Sequence, residues 1–234
     1  MSHILLDTVY NEFNNRNLLS KAYSKTFATT VPLSKHIEGL IKSKLSQQVH
    51  WKYVKAKEAE IDSLFYNYDE TKMRAHNSNY YLSELEALKV GRFRKNLCDN
   101  LFNNIDYIKS ILILRPILES DLLILAKNLK GFGIPLVCEY FVYIGIDRVK
   151  PDLQVKRILS RYYDGVNKSK NFDDKKTLDW AHKVRAFGKY NLTQVDILLW
   201  GYCTEPPEGL EICGDKPKCS LCKLAKTNGG NCRY

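Results

Sequence analysis

The chain has no apolar run long enough to cross a bilayer. Its longest, Ile111 to Leu118, is interrupted by Arg115 and Pro116 and falls far short of the ~20 residues a spanning helix needs. A secretory signal is missing too: Met1 to Arg16 mixes acids and asparagines with its apolar residues and offers no small-residue cleavage site. Period-two alternation, the mark of half-buried strands, is nearly absent. No internal repeat and no low-complexity tract occurs. These absences exclude sheet folds and solenoids and predict a soluble protein with no membrane partner, cytoplasmic, or nuclear where a nucleus exists.

What is present is helical spacing. Ile4, Leu5, Val9, Tyr10 and Phe13 make one apolar face. Similar faces predict helices over His36 to Leu45, Trp51 to Tyr66, Leu82 to Val90, Phe93 to Asn103, Ser120 to Asn128 (with Ser120 as its cap), Pro135 to Tyr143, Asp152 to Tyr163, Asp173 to Phe187 and Thr193 to Tyr202. Asp69 to Asn79 is polar and reads as a connection. The fold class is all-α, and 234 residues suffice for one compact unit or two packed subdomains. Basic residues outnumber acidic ones, 36 against 26, for a formal charge of +10. Such an excess favours polyanionic partners, because each phosphate neutralised releases condensed counterions.

Seven cysteines are unevenly spread. Cys98 and Cys138 sit in apolar helical contexts and read as core thiols. Cys203, on an apolar helix end, reads as a buried thiol. Cys213-x5-Cys219-x2-Cys222-x9-Cys232 has the look of a four-thiolate metal site, because a Cys-x2-Cys pair brings two sulfurs to one centre. Without an export signal, a metal is favoured over disulfides. Lys216, Lys218, Lys223 and Lys226 in this tail form either a basic rim or a solvated face.

Two further segments carry chemistry. Leu129-Lys130-Gly131-Phe132-Gly133-Ile134-Pro135 lies between apolar helices. Its glycines permit a sharp turn, Pro135 suits a first helical turn, and amides at such a start bind anions. A plain helix joint is the competing reading. Downstream, Asp152 follows Pro151 and precedes a helical run, where it reads as an N-cap or as a functional acid.

Leu-x-Gly-x-Gly between helices, followed by Asp152-x-Gln154-x-x-Arg157, resembles the endonuclease III-type helix-hairpin-helix DNA glycosylases. In that family a histidine is usual where Gln154 stands. Leu45-Ser46-Gln47-Gln48 resembles the family's Leu-Ser-x-Gln segment, and Gly91-Arg92-Phe93-Arg94-Lys95 its Gly-x-x-x-Lys step. Together with the cysteine tail, the resemblance runs from about Ile41 to Cys232.

The resemblance implies two helical lobes, with a barrel lobe over 26–133 ending in the hairpin. The second combines 1–25 with 134–234, carries the metal-binding tail, and turns Asp152 to the cleft between them. It implies that Asp152 is the catalytic carboxylate and that Asp147 is a loop residue. Lys130, Gly131 and Gly133 would grip a phosphate, and Gln48 would enter the DNA beside the extruded base. Trp51 and Tyr53 either border the base pocket or pack in the core. The tail cysteines Cys213, Cys219, Cys222 and Cys232 would hold a [4Fe–4S] cluster, with zinc the alternative since the outer spacings depart from the family's. Bifunctional members place a lysine nucleophile where this chain has Pro135, so the resemblance implies a monofunctional enzyme. Ser43 replaces the glutamate of the adenine-mismatch branch, which leaves an alkylated or otherwise labile base as the expected substrate. The partner is double-stranded DNA carrying a damaged base, met by a monomer that would be cytoplasmic and nucleoid-associated, or nuclear in a eukaryote. The competing function is a non-catalytic hairpin module that only binds DNA.

Overall fold

The computed structural model describes residues 2–16, 31–49, 51–111, 120–165, 172–206, 209–226 and 232, with the backbone alone at 2, 3, 51 and 226. Among the described residues every regular element is helical: α1 (Ser2–Asn15), α2 (Leu33–Leu45), α3 (Trp51–Lys55), α4 (Glu58–Leu64), α5 (Glu70–Met73), α6 (Ser78–Ala87), α7 (Arg94–Ile111), α8 (Asp121–Asn128), α9 (Ile134–Tyr143), α10 (Leu153–Asp164), α11 (Asp174–Ala186) and α12 (Leu192–Cys203). No helix among them is long and apolar enough to cross a membrane.

Most predicted helices are present, with shifted ends. The stretch from Trp51 to Tyr66 is two helices rather than one. It breaks at Ala56 and Lys57, and the chain then makes a left-handed turn through Tyr66, Asn67 and Tyr68 (φ 50°, 49° and 66°). Burial holds that turn: the Tyr68 hydroxyl donates to Asp62, and its ring stacks on Phe65. The polar segment after Asp69 is not all connection, because the Asp69 carboxylate caps the short helix α5. Ser120 precedes α8 but makes no side-chain cap bond.

Contacts divide the chain into two units, Met1–Thr26 with Asp147–Tyr234, and Phe27–Ile146. By contacts α9 stays with the hairpin, so the units change at 146/147 rather than at the expected 133/134. The reason is its packing on α2, where His36 Nδ1 and the Tyr140 hydroxyl share a buried hydrogen bond and Ser46 donates to Glu139 at 2.8 Å. Burial holds His36 down at about pKa 4 despite an opposing backbone hydrogen bond at Val31, so it stays neutral at pH 7.

In the same unit Lys42, 4% exposed, meets Glu38 at 2.9 Å, Glu58 at 2.6 Å and Asp62 at 3.1 Å. Burial works against its charge, but the three carboxylates outweigh it and raise the ammonium above its ordinary range. In the unit holding Asp152, α10 buries Val155, Ile158, Leu159 and Tyr162. The packed helix α12 opens with a capping box between Asn191 and Gln194.

Candidate active site

The hairpin is built from inside the Phe27–Ile146 unit. Gly131 adopts φ +79°, which calls for glycine, and an added Cβ would stand 2.0 Å from Asn96 Oδ1, so that side chain would have to give way. Gly133 has φ −103°, which any residue tolerates; there the missing side chain simply keeps the start of α9 open. Asn104 grips Lys130 twice, accepting from its amide at 2.8 Å and donating to its carbonyl at 3.1 Å. Lys44 donates to the Gly131 carbonyl at 2.6 Å. Both carbonyls are thus drawn inward, while Phe132 is buried. Lys130, Gly131 and Gly133 are exposed, and the amides of Gly131, Gly133 and Ile134 have no acceptor among the described residues. Outward amides at a helix N-terminus are an anion site.

Two other motifs converge on this hairpin. Gly91, at φ +76°, packs so closely on the Leu45 side chain that a Cβ would lie 2.6 Å from it. Phe93 places its ring 5.5 Å from Lys44 Nζ, and Phe132 does so at 5.7 Å. Gln48 is exposed and holds φ +56°, a conformation that costs a non-glycine residue roughly 1–2 kcal/mol. Tyr53 is 60% exposed, so core packing does not describe it; the Lys52 ammonium lies over its ring at 5.5 Å. The Trp51 side chain lies outside the described set.

Asp152, in the other unit, is the N-cap of α10. Its Oδ1 accepts from the amides of Gln154 at 2.9 Å and Val155 at 3.0 Å. Oδ2 has no hydrogen-bond partner among the described residues, and the side chain is half-buried. Capping and availability therefore coexist: one oxygen fixes the carboxylate and the other is uncommitted. The approach to the cap is anchored from α12, since Asp196 accepts from the Lys150 amide at 2.8 Å. The Asp152 amide then closes onto the Lys150 carbonyl at 2.7 Å. Asp147, the neighbouring acid, is committed to the Thr193 amide at 2.8 Å. Gln154, in the histidine's place, turns along the helix and accepts from Arg157 at 2.6 Å, while Arg157 also pairs with Asp215.

The tail is less complete. Among the described residues no three Cys, His, Asp or Glu side chains converge as a single ion requires, so the expected metal loop is not assembled as a one-ion site. Cys213 instead takes a hydrogen bond from Cys203 and lies 3.4 Å from the Arg161 guanidinium. These two neighbours hold its thiol down at about pKa 6 against burial. Burial pushes the Cys203 thiol well up, as expected of a core cysteine. Cys98 behaves likewise, pushed by burial to about 12. Arg161, 2% exposed, also donates to the carbonyls of Cys213 and Gly214 at 2.8 Å each. Cys222 is buried, Cys219 and Cys232 are half-buried, and residues 227–231 and 233–234 lie outside the description. Of the four tail lysines, Lys218 pairs with Glu211 and Lys223 with Glu12. Lys216 stands exposed, and the side chain of Lys226 is not described.

Lys44, Asn104 and Arg161 had no signal in the sequence. Each acts on a partner far along the chain (87 positions for Lys44 and Gly131), and each reads locally as an ordinary helix-surface residue.

No protein-family model and no curated protein matches the sequence. Solved structures do match. The Methanocaldococcus jannaschii 8-oxoguanine glycosylase/lyase, in complex with 15mer DNA containing 8-oxoguanine, is similar with a TM-score of 0.63 at 17% identity. That likeness covers 85% of this chain and 96% of the other. The 8-oxoguanine DNA glycosylase structure from the same organism gives 0.64 at 16%, over 87% and 95%. The chain thereby shares the fold of these two solved structures.

Proposed function

We propose that this chain is a DNA glycosylase that flips out a damaged or modified base and hydrolyses its N-glycosidic bond, leaving an abasic site. The observation that carries the reading is Asp152: a carboxylate fixed through one oxygen by two helix amides, with its second oxygen uncommitted. By the resemblance of its sequence segment it stands at the family's acid position, and the shared fold of the similar structures supports the reading. Breaking the bond to C1′ sends the electron pair out with the base and builds positive charge on the sugar. A fixed carboxylate lowers the energy of that charge and takes the proton of the attacking water. The outward hairpin amides suit a backbone phosphate beside the extruded nucleotide, and exposed Gln48 suits the space it leaves.

Pro135 has no amine to attack the sugar, which supports hydrolysis without a lyase step. The similar archaeal proteins act on 8-oxoguanine, and one of them is named as a lyase. Ser43, wholly buried and donating to Leu40, supplies no acid to protonate a leaving base, which favours alkylated or otherwise labile bases here.

Cys213, Cys219, Cys222 and Cys232 are proposed to hold a [4Fe–4S] cluster, with zinc the alternative. The donor chemistry fits: four cysteines are the set that either group takes, and one of them, Cys213, lies against the buried Arg161 guanidinium, which favours its thiolate. When bound, the group would fasten the tail; it enters no step of the hydrolysis. Iron with acid-labile sulfide, as against one zinc per chain, decides between them.

The test is a panel of duplexes carrying single alkylated purines or 8-oxoguanine, scored for alkali-sensitive cleavage with and without borohydride. Release of at least one base with no trapped covalent adduct is expected. Binding without any release would replace the enzyme by a hairpin-type binder, and a lysine adduct would remove the monofunctional assignment.

A further inference from the structure

Lys44 is a buried cation that the chemistry above does not use. It is 3% exposed, and no carboxylate pairs with it among the described residues. Its ammonium donates to Gln47 Oε1 at 2.7 Å and to the Gly131 carbonyl at 2.6 Å, between the rings of Phe93 and Phe132. Those four partners belong to the three motifs of this unit: the turn that ends in Gln48, the step after Gly91, and the hairpin. We propose that Lys44 is a positioning residue, a charged pin that locks the Gln47–Gln48 turn to the hairpin so that phosphate grip and insertion beside the flipped base act in one register.

A charge is needed because the partners are acceptors and ring faces. A carbonyl oxygen, an amide oxygen and two aromatic quadrupoles all present negative potential to one point. With an apolar side chain there, the Gly131 carbonyl would lose its donor and be free to rotate outward. The amide face of the hairpin would then carry a carbonyl that repels phosphate. Burial lowers the Lys44 ammonium from its ordinary range, yet both hydrogen bonds require that it donate. The sequence shows only a lysine on a helix before Gln47.

The inference rests on the glycosylase reading for its consequence but not for its geometry, and the test separates the two. K44M and K44R are compared with the unaltered chain by hydrogen exchange without DNA, and by single-turnover excision with 2-aminopurine fluorescence beside the lesion. In K44M, exchange should rise at least about tenfold at both 46–49 and 129–133, with the Asp147–Tyr234 segment unchanged. Flipping signal and excision should fall about tenfold, while affinity for lesion-free duplex changes less than about threefold. K44R should restore most of the loss, because the guanidinium keeps the charge and the donors. Exchange that rises in only one of the two segments, or in neither, overturns the pin. So does an adduct trapped on Lys44, or a loss of flipping matched by an equal loss of plain binding. If the unaltered chain excises nothing, the exchange arm still decides the pin while the glycosylase reading falls.

Discussion

Replacing Asp152 in two ways separates its structural duty from its chemical one. Asparagine keeps an oxygen that can accept from the Gln154 and Val155 amides, and it ranks with aspartate as an N-cap. What D152N loses is the negative charge at the start of α10, worth about 0.3–1 kcal/mol to the helix. At this chain length that lowers Tm by no more than about 2–4 °C. D152A loses the cap as well, which adds about 1 kcal/mol and a comparable further drop. Catalysis should not follow that order. Both variants remove the charge that steadies the oxocarbenium-like sugar, so single-turnover excision should fall at least about 100- to 1000-fold in each. Affinity for duplex should hold or rise, since an anion near phosphates is gone. Thermal melts, single-turnover kinetics and DNA titrations on the three proteins complete the test. If D152N excises within about tenfold of the unaltered chain while D152A loses activity in step with Tm, the carboxylate is only a cap and the mechanism is wrong.

Two further outcomes concern stability. His36 has a folded pKa of about 4 against an ordinary 6.5, so on acidification the unfolded chain binds the proton first. Stability should be full above about pH 6.5 and fall by up to about 3 kcal/mol towards pH 4; H36Q, followed by urea unfolding across this range, should flatten that part of the profile. Lys42→Met strands Glu38, Glu58 and Asp62, and should cost about 2 kcal/mol at pH 7, a value reduced from that of a fully buried pair because Glu58 and Asp62 are partly exposed. Burial resists the charge of Glu38, but Lys35 and Lys42 outweigh it and hold its carboxyl below the ordinary range; its contribution is present above about pH 4.5 and lost below, so the Lys42→Met penalty should shrink in acid, and a penalty independent of pH would refute the assignment.

What could be read in the sequence is what local rules determine. The helices around Leu40, Leu125, Val137 and Leu198 follow from apolar spacing, and Gly131 and Asp152 from turn and cap chemistry. The left-handed run at Tyr66 to Tyr68 could not be read, because only Asn67 favours that conformation intrinsically and the two tyrosines beside it adopt it through the packing of Tyr68. The hairpin's inward carbonyls were equally hidden. Asn104 and Lys44 impose them across 26 and 87 positions, and helical periodicity says nothing at such range. Asp152 was legible as either a cap or an acid, and the structure gives it the geometry of a cap with an oxygen to spare. The tail was legible only as a set of thiols. How they group depends on partners such as Arg161 and Cys203, which spacing does not reveal.

Two lysines, two positions apart on α2, carry buried charge in opposite ways. Lys42 is matched by three carboxylates and raised above its ordinary pKa; Lys44 has none among the described residues and is lowered by burial. A neutralised cation adds little to the field outside the protein, whereas an unmatched one projects its charge, and low-dielectric surroundings carry it further than water would. The unmatched cation is the one bonded to the hairpin, whose free amides already favour an anion. Burial that lowers Lys44 represents a cost of holding charge there, and an anion placed nearby would relieve it. By linkage, a phosphate on the hairpin must then raise the Lys44 pKa. DNA affinity should consequently carry a weak dependence on alkaline pH that K44M abolishes and K42M does not.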